Sequence, residues 1–425
     1  MRDLLIHFVR LSLGIFLPCV WTGAVKAIEL APPKSESAIR IATFNVSLNR
    51  SKSGKLTSNL RQDDSQIKAI ATIIRAVSPD ILLLNEIDYL PDVDHPALLH
   101  ELYLTPAQQD QLGHGPISLP YHFWAAVNTG QPSGLDLNRN GATSDPEDAY
   151  GFGRFPGQYG MAVLSKYPFD ASGTRTFQNL LWSELPGALQ PKFPDSSELY
   201  YSTDTWSKLK LPSKSFWDVR IQLPGRTLHL LASHPTPPAF DGPEDRNGCR
   251  NHDEIALLTS YIDAQPIASA SGNGPFWRDD QGREGALPQD AYFVVAGDLN
   301  CDPVDGSSRH QAINKLLSHP RVQSNPVPQS AGGVEASRAE AGQNRSHRGE
   351  PAHDTGAFGP DRVGNLRVDY VLPSNNMPIL DCGVVWPSQT GLTSEDAAVL
   401  KQLMAATDHR MVWVDLALPI DADSK

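Results

Sequence analysis

Ile81-Leu82-Leu83-Leu84 is a short continuous apolar run with Asp80 before it and Asn85 after it. It does not alternate with polar residues, so it suits a strand covered on both faces. Ile39 to Val46 reads as another strand, with Ile39 and Ile41 facing opposite to Ala42, Phe44 and Val46. Further strands are expected at Gly160 to Ser165, Phe216 to Leu223, Thr227 to Ser233, Tyr292 to Ala296, Arg367 to Leu372, Gly383 to Trp386 and Met411 to Leu416. Helical spacing relates Ile67, Ile70, Ala71, Ile74 and Val77, and Pro79 stops that helix. Two later helices are expected over Asp253 to Ala264 and Ser308 to Ser318. Helices interrupt the strands without strict alternation. That pattern points to two packed sheets with helices outside them, not to a doubly wound sheet.

A chain of 425 residues, 40% hydrophobic and 20% charged, can bury one large core. Pro (35) and Gly (32) are plentiful, which favours long ordered loops, and two are expected at residues 91–159 and 322–364. Residues 1–27 read as a secretory leader. Arg2 and Arg10 flank its charged start, Leu11 to Trp21 is almost wholly apolar, and Val25-Lys26-Ala27 offers a cleavage site after Ala27. The rest, residues 28–425, is expected to form a single domain, secreted or periplasmic. No later segment is long and apolar enough for stable membrane insertion. The formal charge of −12 argues against tight, non-specific binding of nucleic acid. A nuclease stays open, because bound metal can reverse the local sign.

Polar residues recur where the apolar strands run out. Asn45 ends Ile-Ala-Thr-Phe-Asn, Glu86 ends Leu-Leu-Leu-Asn-Glu, and His234 ends Leu-Leu-Ala-Ser-His. Asp298 and Asn300 follow Val-Val-Ala-Gly, Asp369 sits within Arg-Val-Asp-Tyr-Val-Leu, and Asp408 and His409 precede the last strand. Strand ends on one rim are rigid platforms from which side chains can converge. Their oxygen atoms suit Mg²⁺ or Mn²⁺ rather than zinc. Two histidines with a carboxylate partner supply acid–base chemistry. Hydrolysis of a phosphate ester needs both.

These motifs resemble the endonuclease/exonuclease/phosphatase superfamily, with its DNase-I-like fold, and the segment from His234 to Glu254 is similar to a bacterial exported branch of it. The pattern is an Asn after the first strand, a Glu after the second, a His, Gly-Asp-x-Asn, an Asp and a terminal Asp-His pair. It occurs in order from about residue 38 to 418, and Gly297-Asp298-Leu299-Asn300 and Asp408-His409 are its most specific pieces. The resemblance implies a four-layer α/β/β/α sandwich of two mixed sheets flanked by helices. It also implies roles. Glu86 is the principal metal ligand, Asn45 helps to hold metal or phosphate, and Asp408 is a second metal-site carboxylate. His409 is the base that activates water, oriented by Asp369. Asp298 positions the nucleophile, Asn300 donates to a phosphate oxygen, and His234 protonates the leaving oxygen or binds phosphate. The substrate would be a nucleic acid, a nucleotide or another organic phosphate.

Three further features stand beside this set. Arg246, Arg250 and Asn251 follow His234 in a segment that could clamp a substrate phosphate, although Asn251 or Asp253 could equally cap a helix. Asp136, Asn138, Asn140, Gly141 and Glu147 match a calcium-loop spacing, with the backbone carbonyl of Ala142 completing a Ca²⁺ site. A polar turn without metal is the alternative there. Cys249 and Cys301 flank the same expected rim and are the pair to join if a disulfide forms. The rival to an enzyme is a non-catalytic, calcium-stabilised binding protein on the same fold.

Overall fold

The computed structural model describes residues 28–417, so the expected leader lies outside the described residues. The strands are β1 (Ala38–Leu48), β2 (Ile81–Ile87), β3 (Tyr121–Phe123), β4 (Met161–Ser165), β5 (Arg175–Thr176), β6 (Phe216–Leu223), β7 (Arg226–Ser233), β8 (Tyr292–Asp298), β9 (Gly356–Ala357), β10 (Asn365–Leu366), β11 (Asp369–Pro373), β12 (Ile379–Val384) and β13 (Val412–Ala417). The helices are α1 (Lys55–Leu60), α2 (Ser65–Val77), α3 (His95–Leu99), α4 (Thr203–Trp206), α5 (Arg246–Ile262), α6 (Gln311–Leu317), α7 (Ala331–Glu340) and α8 (Ser394–Met404).

Two mixed sheets form the centre. One has the order β12-β13-β1-β2-β4-β3 and the other β11-β8-β7-β6-β5. Ile39, Ile41, Ile81 and Leu83 pack between the sheets with Val219, Leu230, Val294 and Val371. On the outer face of the first sheet, Ala42, Phe44, Leu82 and Leu84 pack with Ile67, Ile70 and Ile74 of α2. On the outer face of the second, Leu231, Phe293 and Val295 pack with Ile255, Leu258 and Ile262 of α5 and Ile313 of α6. Three apolar strata between four layers explain why β2 needs apolar residues on both faces. Arg40 enters this packing as a satisfied charge. Its guanidinium grips Asp415 at 2.7 and 2.8 Å, donates to Val77 and Pro32 carbonyls, and lies 4.2 Å from the Trp413 ring centre.

Each sheet is built on one parallel pair, β1 with β2 and β7 with β8. Helices α2 and α5 make the crossovers that parallel pairing requires. Parallel strands end on the same side, so Asn45 and Glu86 leave the first sheet together, and His234 and Asp298 leave the second together. The partners β13 and β11 run antiparallel, so His409 and Asp369 reach that same rim from their strand starts. Gly297 makes the second pair possible. Its φ is +145°, and a Cβ there would sit 1.9 Å from the Ser233 carbonyl oxygen. Glu86 and Asn300 adopt left-handed backbone, with φ of +60° and +51°, at the turns that aim their side chains.

Three expectations need correction. The segments 91–159 and 322–364 are not bare loops. The first holds α3, β3 and a short 3₁₀ turn, and the second holds α7 and two 3₁₀ turns. The strand expected at Gly383 to Trp386 is β12, which begins four residues earlier. Helix α5 begins at Arg246, two turns before the expected start, and its N-cap position is Asp245 rather than Asn251 or Asp253. The thiols of Cys249, Cys301 and Cys382 are free. Cys249 and Cys301 lie in one apolar stratum, where burial pushes their pKa up to about 11 and about 12.

Candidate active site

The rim closes on Asp298. Its Oδ2 accepts the Asn45 side-chain amide at 3.0 Å and lies 3.4 Å from His234 Nε2 and 3.6 Å from His409 Nε2. Its Oδ1 accepts the Asn300 backbone N–H at 2.9 Å. The Asp298 backbone N–H donates to Asn85 Oδ1 at 3.3 Å, so a β2 side chain ties the first sheet to the strand that carries the carboxylate. His409 Nδ1 donates to Asp369 Oδ2 at 2.9 Å, the contact expected between them. That bond turns Nε2 of the ring toward Asp298. Asp369 Oδ1 and His234 Nδ1 are buried without a hydrogen-bond partner among the described residues. Phe358 packs edge-on against the His409 ring, 5.4 Å between centres.

Burial works against charge on Asp298, but His409, His234 and the Asn45 amide outweigh it and hold its carboxyl well below the usual range. Burial also opposes a charged His409, but Asp369 and Asp298 overcome it and hold the ring well above its ordinary pKa. Burial raises Asp369. His234 is held below its usual value by burial and by the Lys214 ammonium. These shifts favour charge on Asp298 and on His409 and disfavour it on His234.

Glu86 is half-buried. Its Oε1 accepts the Asn45 amide at 3.1 Å and its Oε2 the Asn49 amide at 2.8 Å. Asn45 turns N–H groups toward both carboxylates while its Oδ1 takes the Ser47 N–H. Through these contacts it orients Glu86 and Asp298. Asp408 is exposed, and its carboxylate has no hydrogen-bond partner among the described residues. Asn300 Nδ2 donates to the Pro235 carbonyl at 3.1 Å. Asp298, Asp369 and His409 are the one group of described His, Cys, Asp and Glu side chains gathered tightly enough to hold an ion, with ligand atoms within 4.8 Å.

The three residues expected to clamp a phosphate are engaged within the protein. Arg250 donates to the carbonyls of Leu211 and Lys210, both at 2.9 Å, and to that of Tyr150. Arg246 is paired with Glu244. Asn251 is fully buried and donates to Thr236 and Leu299 carbonyls. The early start of α5 turns these side chains into the packing beneath the rim. Lys214, which the sequence did not single out, takes the position instead. It precedes β6 and is 6% exposed, and its ammonium makes no hydrogen bond or ion pair among the described residues. Burial depresses its pKa, while Glu254, Glu86 and Asp298 pull the other way. A buried cation facing these carboxylates without a direct partner is a candidate anion grip. No sequence motif marks it, because it stands in a loop before an ordinary strand.

The 136–147 loop is ordered by its own amides. Asp136 accepts Asn140 and Gly141 N–H at 3.0 and 2.9 Å, and Asn140 Oδ1 accepts Ala142 N–H at 2.8 Å. Asn138 also accepts the Asn140 N–H. Glu147 is exposed, and Asp148 makes the closing bonds, to Leu137 N–H at 2.8 Å and Asp145 N–H at 3.1 Å.

The Endonuclease/Exonuclease/phosphatase family model matches residues 42–409. The chain belongs to that family. Endonuclease/exonuclease/phosphatase proteins generally hydrolyse phosphate esters and typically use divalent metals. No curated protein matches the chain in sequence. Among solved structures, it is similar to an endonuclease/exonuclease/phosphatase from Beutenbergia cavernae, with 19% identity over 90% of this chain and 72% of that one and a TM-score of 0.48. A family protein from Bacteroides thetaiotaomicron is 13% identical over 89% of this chain and 94% of that one, with a TM-score of 0.44. Sphingomyelinase C from Streptomyces griseocarneus is 14% identical over 89% and 99%, with a TM-score of 0.43. Among the described residues, no helix is long and apolar enough to cross a membrane.

Proposed function

We propose that this protein is an exported, divalent-metal-dependent phosphoesterase that cleaves its substrate by in-line attack of water. The observation that carries this reading is the convergence of Asn45, His234 and His409 on one ionised oxygen, Asp298 Oδ2, at a rim where Glu86 also emerges. The leader pattern in residues 1–27 supports export.

The donor set fits a hard cation. Glu86 is preoriented by two amides, and Asp408 is exposed with free oxygens. Held by these two carboxylates, Mg²⁺ or Mn²⁺ would supply Lewis-acid stabilisation of charge on the phosphate oxygens. The resting charges modify the expected division of labour. His409 is held protonated, so its Nε2–H gives a hydrogen to a phosphate oxygen, and Asp369 keeps the ring in that orientation. Asp298, held ionised, is the atom set that orients the attacking water and takes its proton. His234 is neutral. Its Nε2–H faces Asp298, and its orphaned Nδ1 points away as an acceptor. Lys214 neutralises the bound phosphate.

The test is turnover of bis-(p-nitrophenyl) phosphate, p-nitrophenyl phosphate, supercoiled DNA, RNA and sphingomyelin with Mg²⁺, Mn²⁺ and Ca²⁺. Glu86→Gln, Asp298→Asn and His409→Gln should each lower kcat by at least about 10²-fold with the fold intact. A folded His409→Gln protein that turns over near the parent rate would refute the assignment. No turnover of any ester would leave the calcium-stabilised binding protein.

A further inference from the structure

The wall beside Glu86 carries an aromatic pair that the chemistry above leaves unused. Strands β2 and β4 pair with Asn85 opposite Met161, and Ile87 N–H donates to the Gly160 carbonyl at 3.1 Å. Tyr159 therefore stands beside Glu86. Its backbone N–H reaches Asp88 at 3.3 Å, and its φ of +57° turns the side chain out of the strand line. Burial, then the Glu86 carboxylate, push the Tyr159 hydroxyl up while Arg154 pulls it down, so both charges act on one phenol. The Phe152 ring lies 6.2 Å from the Tyr159 ring at 42° and is 49% exposed. Arg154 is exposed between them in sequence.

This wall is rigidly held. The Gly151 Cα packs against Ser213 so closely that a Cβ would meet its carbonyl oxygen at 1.9 Å. Asn128 N–H donates to the Lys214 carbonyl at 2.8 Å, Gly130 N–H to the Gly151 carbonyl at 2.8 Å, and Gln158 joins the Arg154 N–H at 2.7 Å to the Arg50 carbonyl. The segment that presents the rings is thus tied to the segment that presents Lys214.

We propose that Phe152, Arg154 and Tyr159 form a subsite that stacks a nucleobase, so that the phosphate ester is part of a short nucleotide; this rests on the phosphoesterase reading above. Two rings, one of them within the field of the Arg154 charge, match a flat π-system attached to a phosphate. An acyl chain would need a broad apolar surface without the guanidinium. The formal charge of −12 favours a short nucleotide over a long strand.

Calorimetric titration of the mature protein in EDTA, where hydrolysis is blocked, compares AMP with ribose 5-phosphate. AMP should bind at least about tenfold more tightly, the scale of one stacked base. Phe152→Ala should bring the two dissociation constants together, and Phe152→Trp should restore the preference. Equal binding of the two ligands by the parent protein, no detectable binding of AMP, or an unchanged ratio in Phe152→Ala would each overturn the subsite. A base preference without turnover of any ester would sink the hydrolytic reading and leave the subsite. Turnover without a base preference would do the reverse.

Discussion

Replacing Lys214 by Met should move stability and turnover in opposite directions. Lys214 is 6% exposed, and its ammonium has no partner among the described residues. Met keeps a flexible, unbranched stem and drops the charge. The carboxylates around it are not orphaned by the change. Glu254 still accepts Ser213 and Thr236 N–H, and Glu86 still accepts the Asn45 and Asn49 amides. Stability then depends on the relief of ammonium desolvation against the lost attraction to those carboxylates. Apolar replacement of buried ionic groups is often neutral or stabilising by about 1–4 kcal/mol. With three carboxylates offsetting the relief, we expect a gain between zero and about 2 kcal/mol at neutral pH. Turnover loses a charge-assisted hydrogen bond to phosphate, about 1.5–3 kcal/mol. At about 1.4 kcal/mol per decade, that is about 10- to 150-fold in kcat/KM. Urea denaturation without metal reads the first effect. Hydrolysis of bis-(p-nitrophenyl) phosphate with Mg²⁺ or Mn²⁺ reads the second, and Lys214→Arg should recover part of it. A Lys214→Met protein destabilised by more than about 1 kcal/mol with unchanged kcat/KM would make Lys214 a structural cation and refute the reasoning.

Asp354 supplies a pH test at a carboxyl outside the set of reacting groups. Burial, with Asp302, Asp305, Glu350 and Glu340 nearby, pushes its carboxyl up to about 8. Its folded pKa exceeds the unfolded one, so the folded state holds the proton more tightly and stability falls as pH rises from about 4 to 8. Asp354→Asn should therefore stabilise the protein by at least about 1 kcal/mol at pH 8 and by nearly nothing at pH 4, and a pH-independent difference in urea midpoints would contradict this. For the 136–147 loop, millimolar Ca²⁺ should raise Tm by linkage, and Asp136→Ala with Glu147→Ala should abolish the rise while sparing Mg²⁺-dependent turnover. Calorimetry that detects no calcium binding would leave the loop as a polar turn held by Asp148.

Much of the rim was legible in the sequence because Asn45, Glu86, His234 and Asp298 sit where apolar runs end, and Asp369 and His409 sit where apolar runs begin. The burial of Ile39 and Ile41 on one face of β1 and of Ala42, Phe44 and Val46 on the other follows from alternation alone. The order of Asn45, Glu86, His234, Asp298, Asp369 and His409 along the chain identified the family before any coordinate was needed. Helices α7 and α8 were not legible. Gly332 and Gly333 lie inside α7, and it buries only those two residues, so little periodicity marks it; α8 buries Leu400 and Leu403 alone.

Tertiary structure alone decided which neighbours each charge has. Local sequence specifies where a strand ends and which way its side chains alternate, since both follow from backbone geometry. It does not specify that Asn85 on one sheet will hold the Asp298 backbone on the other, or that α5 will turn Arg250 onto three carbonyls. Nor does it leave any mark on Lys214, whose isolation is a property of what surrounds it. Charge state depends on burial and on partners hundreds of residues away. The His409 ring is held above its ordinary pKa only because stacking the sheets brings Asp369 and Asp298 around it.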